Sequence, residues 1–251
     1  MSRRRVSVVF AGLALGVVMP GGVAWAQQPP DYYAGCPEGE NTILGTNGND
    51  VITGTPLRDL INSLAGNDVV DGQAASDCIL LGAGRDRGQG NTGNDRIFGQ
   101  GGRDLIRGAA GNDRLDGGSA RDRLVGAAGR DRAVGGSGND VLSMGNANDR
   151  GSGQGGRDRV SGGPRADRLS GGAGNDRVNG NSARDRVSGG SGNDRVIGGS
   201  RPDRLRGGSG RDRLNARDGF RDRVNCGPGR DRVLADRRDL VAGNCEVVVR
   251  S

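Results

Sequence analysis

Aliphatic residues recur at every ninth position along most of the chain, flanked on both sides by polar residues and glycine. Ile52, Ile61, Val70, Ile79, Ile97, Ile106, Leu115, Leu124, Leu142, Val160, Leu169, Val178, Val187, Val196, Leu205 and Leu214 keep this spacing, and Val224 and Val233 resume it after one inserted residue. Gly88 and Gly151 interrupt the series and Ala133 weakens it. Two residues before each of these positions stands an Asp, from Asp50 to Asp212 and then at Asp222 and Asp231. Ahead of the Asp lies a Gly-rich stretch, as in Gly135-Gly136-Ser137-Gly138-Asn139-Asp140. Three residues with a central aliphatic make a short strand whose alternate side chains point in and out. The six Gly-rich residues supply the left-handed and extended angles of a tight turn. Two such units close one coil, and stacked coils form two parallel sheets facing each other over a thin interior. The spacing therefore predicts an all-β chain, a parallel β-roll (right-handed β-solenoid) of ten or eleven coils, about 50 Å long at ~4.8 Å per coil.

Composition agrees with a core of that kind and no other. Of 251 residues 51 are Gly and only 2% are aromatic, too little large apolar surface for a layered globular domain. A disordered chain shares this composition but not the unbroken register. The chain contains no His, and all 36 basic residues are Arg, so no Lys is present. These absences remove most acid–base and zinc chemistry at neutral pH, and Schiff-base and P-loop mechanisms as well.

The ends read differently from the middle. Arg3, Arg4 and Arg5 precede an apolar run from Val6 to Met19, then Pro20-Gly21-Gly22 and a small-residue site at Ala24-Trp25-Ala26. This is the pattern of a secretory signal over residues 1–26, too short to span a bilayer. Its removal takes the net charge from +6 to about +3, since three Arg and no acid leave with it. The four cysteines then sit in an oxidising compartment, where an even count favours disulfides. Pairing by proximity gives Cys36–Cys78 and Cys226–Cys245, one of three connectivities that four cysteines allow. Residues 27–38 form a lead-in, 39–235 the roll and 236–251 a closing cap, with Glu40-Asn41-Thr42-Ile43 keeping the period at the opening end.

The unit resembles the glycine-rich nonapeptide of repeats-in-toxin (RTX) proteins, GGxGxDxUx, over about residues 39 to 235. That resemblance implies calcium held by backbone carbonyls of the turns and by Asp carboxylates of neighbouring coils on one edge. Electrostatics asks for a cation independently. Carboxylates about 5 Å apart repel by roughly 3 kcal/mol per pair at an effective dielectric of ~20. Ca²⁺ suits the position because it is hard and accepts irregular cages of carboxylate and carbonyl oxygen. Folding is then expected to be coupled to metal binding.

The two edges differ in sequence. On one edge Gly stands two residues before Asp50, Asp68, Asp86, Asp104, Asp140, Asp158, Asp176, Asp194 and Asp212, with Ala120 the exception. Asp231 continues this group. The other edge keeps that Gly only before Asp95, Asp113 and Asp131, and has Leu57, Ala75, Ala147, Arg165, Ala183 and Arg201 elsewhere. These thirteen Asp are the candidate calcium ligands, with Asn139-Asp140, Asn175-Asp176 and Asn193-Asp194 heading the safest sites.

Arginine departs from the acidic character expected of such repeats. An Arg follows the Asp in most units and by alternation points outward. Three roles compete: a solvated exterior, Arg–Asp bridges that replace calcium at some turns, and a face for an anionic cell-surface polymer. Paired carboxylates superficially resemble a retaining glycosidase, but a ladder of equivalents on a convex edge is no cleft. Serines such as Ser137 and Ser191 have no His or Lys to activate them. Nucleic-acid binding lacks stacking aromatics. The sequence thus points to a secreted, non-enzymatic calcium-binding repeat protein. The alternatives are a structural or adhesive protein that binds anionic polymer, and a calcium-independent solenoid held by Asp–Arg pairs.

Overall fold

A computed structural model describes Cys36 and residues 41–250, with the backbone of two short segments, Arg4–Arg5 and Phe10–Ala11. Most of the expected leader and lead-in lies outside the described residues. The chain is a parallel β-solenoid of about twelve turns, and no helix occurs among the described residues. Successive strands fall alternately into two sheets, each running the length of the rod. In one sheet Asp50–Thr53 is followed by Val69–Asp71, Arg87–Thr92 and Leu105–Ala110, and in the other Asn41–Leu44 by Asp59–Asn62 and Cys78–Leu80. Neighbours pair in parallel eighteen residues apart, as Ile97 with Leu115 and Val178 with Val196, which is the two-unit coil. The inserted residue near 216–222 is absorbed in a turn, so Leu205 pairs with Val224 across nineteen. Leu240–Val241 and Val247–Arg250 join the two sheets as their last strands.

The strands are longer than the three residues expected. In the middle of the rod they run six residues, as in Arg114–Ser119, because coil-to-coil pairing continues into the glycines (Gly118 with Gly136, Ser119 with Ser137). Alternation along them buries the aliphatic and exposes the Arg before it, in the pattern of Arg177–Ser182. The interior is one column of side chains from Ile43 to Val233.

The two gaps in the aliphatic series are filled from elsewhere. Leu81 and Met144 stand seven residues before Gly88 and Gly151, where most units have Gly, and both are fully buried. A β-carbon on Gly88 would lie 3.0 Å from both Leu81 methyls, and one on Gly151 3.0 Å from the Met144 sulfur. Volume lost on the strand is supplied by the preceding turn. Disulfides Cys36–Cys78 and Cys226–Cys245 form as expected, with Cα separations of 5.7 and 5.3 Å, and staple the first and last coils.

Candidate metal-binding ladders

Alternation places the Asp on the same side of the backbone as the aliphatic two residues on, and the structure puts both inside. Every ladder Asp is at most 5% exposed. They stack in two files, one per edge. The backbone N–H of each Asp donates to Oδ1 of the Asp one coil further: Asp50 to Asp68 at 2.8 Å, Asp104 to Asp122 at 2.8 Å, Asp140 to Asp158 at 2.7 Å. This file ends with the Asp231 N–H donating to Glu246 Oε2 at 2.7 Å. The second file opens with Asn41 Nδ2 donating to Asp59 Oδ1 at 3.0 Å, and closes with the Asp222 N–H donating to Asp239 Oδ1 at 2.9 Å. In the other direction the Asp68 carbonyl accepts the Arg87 N–H, so each Asp ties its coil to both neighbours.

One carboxylate oxygen is thus committed and the other is not. From Asp68 to Asp231, Oδ2 of nineteen stacked Asp is buried with no hydrogen-bond partner. A buried carboxylate oxygen without a partner is costly. The first Asp of each file escapes: Asp50 Oδ2 accepts from Thr46 N at 2.6 Å and Asp59 Oδ2 from Thr55 N at 2.5 Å. Asp50 therefore differs from the other twelve candidates, all of which carry the orphaned oxygen.

The orphaned oxygens face further oxygen. A β-carbon at Gly135 would stand 2.5 Å from Asp140 Oδ2 and 2.7 Å from the carbonyl oxygen of Gly153, one coil on. Gly171 has the same relation to Asp176 and the Gly189 carbonyl, and Gly180 to Asp185 and the Gly198 carbonyl. These turns thus converge carboxylate and carbonyl oxygen on a small space, and the Oδ2 there has no hydrogen-bond donor. Among the described residues no three acidic or thiol side chains cluster as a metal cage would. The donor set is all oxygen, part carboxylate and part carbonyl, which fits Ca²⁺ and not zinc. Packing of the coils also fixes the turn glycines: a β-carbon on Gly156, at φ +126°, would fall on the Gly138 carbonyl.

Burial pushes the nineteen carboxyls with an orphaned oxygen, from Asp68 to Asp231, above the ordinary Asp range. Desolvation is the largest cause, the backbone hydrogen bond opposes it, and neighbouring Asp add to it. Asp104, Asp131 and Asp194 rise to about 7, Asp86 and Asp158 to about 6 and Asp185 to about 8.

The edges are more alike than their glycines suggest. Asp77, Asp122, Asp149, Asp167, Asp185, Asp203 and Asp222, outside the candidate set, carry the same buried, unpartnered Oδ2. At four of these turns Ala75, Ala120, Ala183 and Arg201 adopt the left-handed conformation at φ 72°, 79°, 80° and 89° despite their β-carbons. Ala147 and Arg165 are not left-handed, yet Asp149 and Asp167 carry the same unpartnered oxygen.

Among the described residues, Oδ2 of the nineteen stacked Asp from Asp68 to Asp231 accepts no Arg bridge. Carboxylates point inward to backbone N–H groups, while the Arg beside them, such as Arg132 and Arg186, are exposed on the opposite side of the strand. The Asn before Asp has a structural part: its Oδ1 accepts the N–H of the equivalent residue one coil on, as Asn139 does from Arg157 at 2.7 Å. Asp239, Glu246, Thr46 and Thr55 were missed as ladder ends, since insertions near the C-terminus break the nine-residue count and the two Thr stand outside it.

Stacked coils with interior carboxylates and oxygen-lined turns define the class as a calcium-binding repeat solenoid. The chain belongs to the RTX calcium-binding nonapeptide repeat family, whose pattern matches seven segments, the first five overlapping and the last two abutting, between residues 38 and 221. A comparison with curated proteins finds no match.

Proposed function

We propose that the protein is a secreted, non-enzymatic calcium-binding β-roll in which metal binding and folding are one event. The observation that carries this is the set of nineteen buried Oδ2 atoms without a partner, several of them, such as those of Asp140, Asp176 and Asp185, facing a carbonyl of the next coil. Asp68, Asp86, Asp104, Asp140, Asp158, Asp176, Asp194, Asp212 and Asp231 would hold Ca²⁺ on one edge, and Asp95, Asp113 and Asp131 on the other. Asp50, already bonded to Thr46, contributes less. Bound calcium supplies the positive charge that stacked carboxylates require. The chain's own contribution is to hold Oδ1 on the neighbouring N–H and so aim Oδ2 at the turn. These carboxylates lie buried inside the roll and not in a cleft, which is poor placement for two-carboxylate chemistry, and the chain has neither His nor Lys to work beside them. Export is supported by the leader pattern and by the two disulfides at the ends of the rod. Calorimetric titration of the metal-free mature chain with Ca²⁺, followed in parallel by far-UV circular dichroism, tests the reading: heat and β-structure should appear together. A chain that stays equally β-rich at neutral pH after exhaustive EDTA dialysis would refute it.

A further inference from the structure

The outside of the roll carries a second ladder. In the sheet containing Asp59–Asn62, the residue after Asp is Arg in every coil from Arg114 to Arg223, paired in unbroken register. The matching row of the other sheet is broken by Leu105 and Val141. All Arg in the unbroken row are exposed and, among the described residues, none is held in an ion pair. Beside it runs an open trough of about 720 Å³, lined by Arg132, Arg150, Arg168 and Arg186 from the strands and by Arg130 and Arg184 from the turns, with the ladder residues Asp131, Asp149, Asp167 and Asp185 also in its lining. In the two coils between Arg130 and Arg184 the turn residues are the short Asn148 and Ala166, which leave the trough open. Like charges at one per coil repel one another, and seven Arg against four Asp in the lining leave the trough with an excess of positive charge.

We propose that this trough binds an extended acidic polysaccharide carrying one anionic group per sugar. A guanidinium fork suits carboxylate and sulfate bidentately. One Arg per strand, ~4.8 Å apart, is close to the advance of one sugar ring in an extended chain. No aromatic side chain lines the trough, and single-stranded nucleic acid depends on such stacking.

The test uses the full mature chain in calcium and a fluorescent chondroitin sulfate decasaccharide, with anisotropy read from about 50 to about 200 mM salt. Arg150→Thr/Arg168→Thr/Arg186→Thr should weaken binding at least about tenfold and flatten the salt dependence. Arg159→Thr/Arg177→Thr/Arg195→Thr, which removes the same charge from the other sheet, should cost less than about threefold. Circular dichroism in calcium checks that both variants fold. Lys at the same three trough positions keeps charge and fold but loses the fork, and should still weaken binding measurably. Equal losses from the two sheets, or an unchanged affinity in the trough variants, would overturn the proposal. So would a single-stranded oligonucleotide of equal charge that binds more tightly than the saccharide.

Discussion

Removing calcium should make the fold depend on pH in a direction opposite to ordinary acid denaturation. In the metal-free roll Asp185 titrates at about 8 and Asp77, Asp104, Asp122, Asp131 and Asp167 at about 7. An unfolded Asp titrates near ~3.9, so each folded carboxyl holds its proton about three to four pH units longer, worth about 4–5 kcal/mol per group once ionised. A quarter of that, over the dozen most shifted groups, is about 12 kcal/mol, the whole stability of a typical domain. The folded state binds more protons than the unfolded, so stability is greatest below ~3.9 and falls as pH rises through 6–8. Metal-free protein in about 0.15 M salt, which screens the Arg exterior, should show parallel-β circular dichroism at pH 5. It should lose that signal between pH 6 and 8, and recover it at pH 8 on addition of Ca²⁺. A metal-free chain as β-rich at pH 8 as at pH 5 would refute the reasoning, because its buried carboxylates would then be tolerated without proton or cation.

Three further outcomes follow from particular contacts. Asp140→Asn keeps an acceptor for the Asp122 N–H at 2.8 Å but removes a charge; it should shift the metal-free unfolding midpoint to higher pH. In calcium the same change should destabilise by about 1–3 kcal/mol, read by denaturant titration. Leu81→Gly should cost about 3–5 kcal/mol by leaving a cavity, and Gly88→Leu about 1–3 kcal/mol by overpacking. The double variant should recover to within about 1 kcal/mol of the parent, because the two positions share one space; additive losses would show that they do not. Cys226→Ser/Cys245→Ser opens a loop of 19 residues and should cost about 3 kcal/mol. Hydrogen exchange should place that loss in the last turn, at Leu240–Arg250, with the middle coils still protected.

The repeat made most of this legible beforehand. The nine-residue register of Asp and aliphatic predicted the coil, the parallel sheets and the column from Ile52 to Val233, since a period-two strand puts both residues on one side. That rule also implies that Asp points inward and Arg outward, which already weighs against bridges between them. Less legible were features the count does not track. Leu81 and Met144 look like errors in the Gly pattern until folding brings them beside Gly88 and Gly151. Asp239 and Glu246 finish the two files out of register, because a ladder needs only an acceptor at the right height and not at the right count. The glycine pattern does not track the backbone angle, because an Ala in a left-handed turn is strained but tolerated when packing on both sides fixes it, as at Ala120.

The near balance of Arg and Asp in the composition conceals how the fold uses them. Alternation sends one charge type inside and the other outside, so the two are not paired with each other even though they are adjacent in sequence. Inside, the carboxylates need a proton or a cation, and oxygen-lined turns favour a hard divalent ion. Outside, the guanidiniums of the row from Arg114 to Arg223 stand without carboxylate partners and need an anion. A protein with Asp and Arg paired on one surface would be indifferent to both. Filling the interior with calcium makes the exterior field more positive, so polyanion affinity should rise with calcium occupancy, beyond whatever calcium does for folding. Anisotropy titrations of the folded roll at two saturating-to-partial calcium levels separate these effects, and an affinity that tracks the folded fraction alone would remove the electrostatic link.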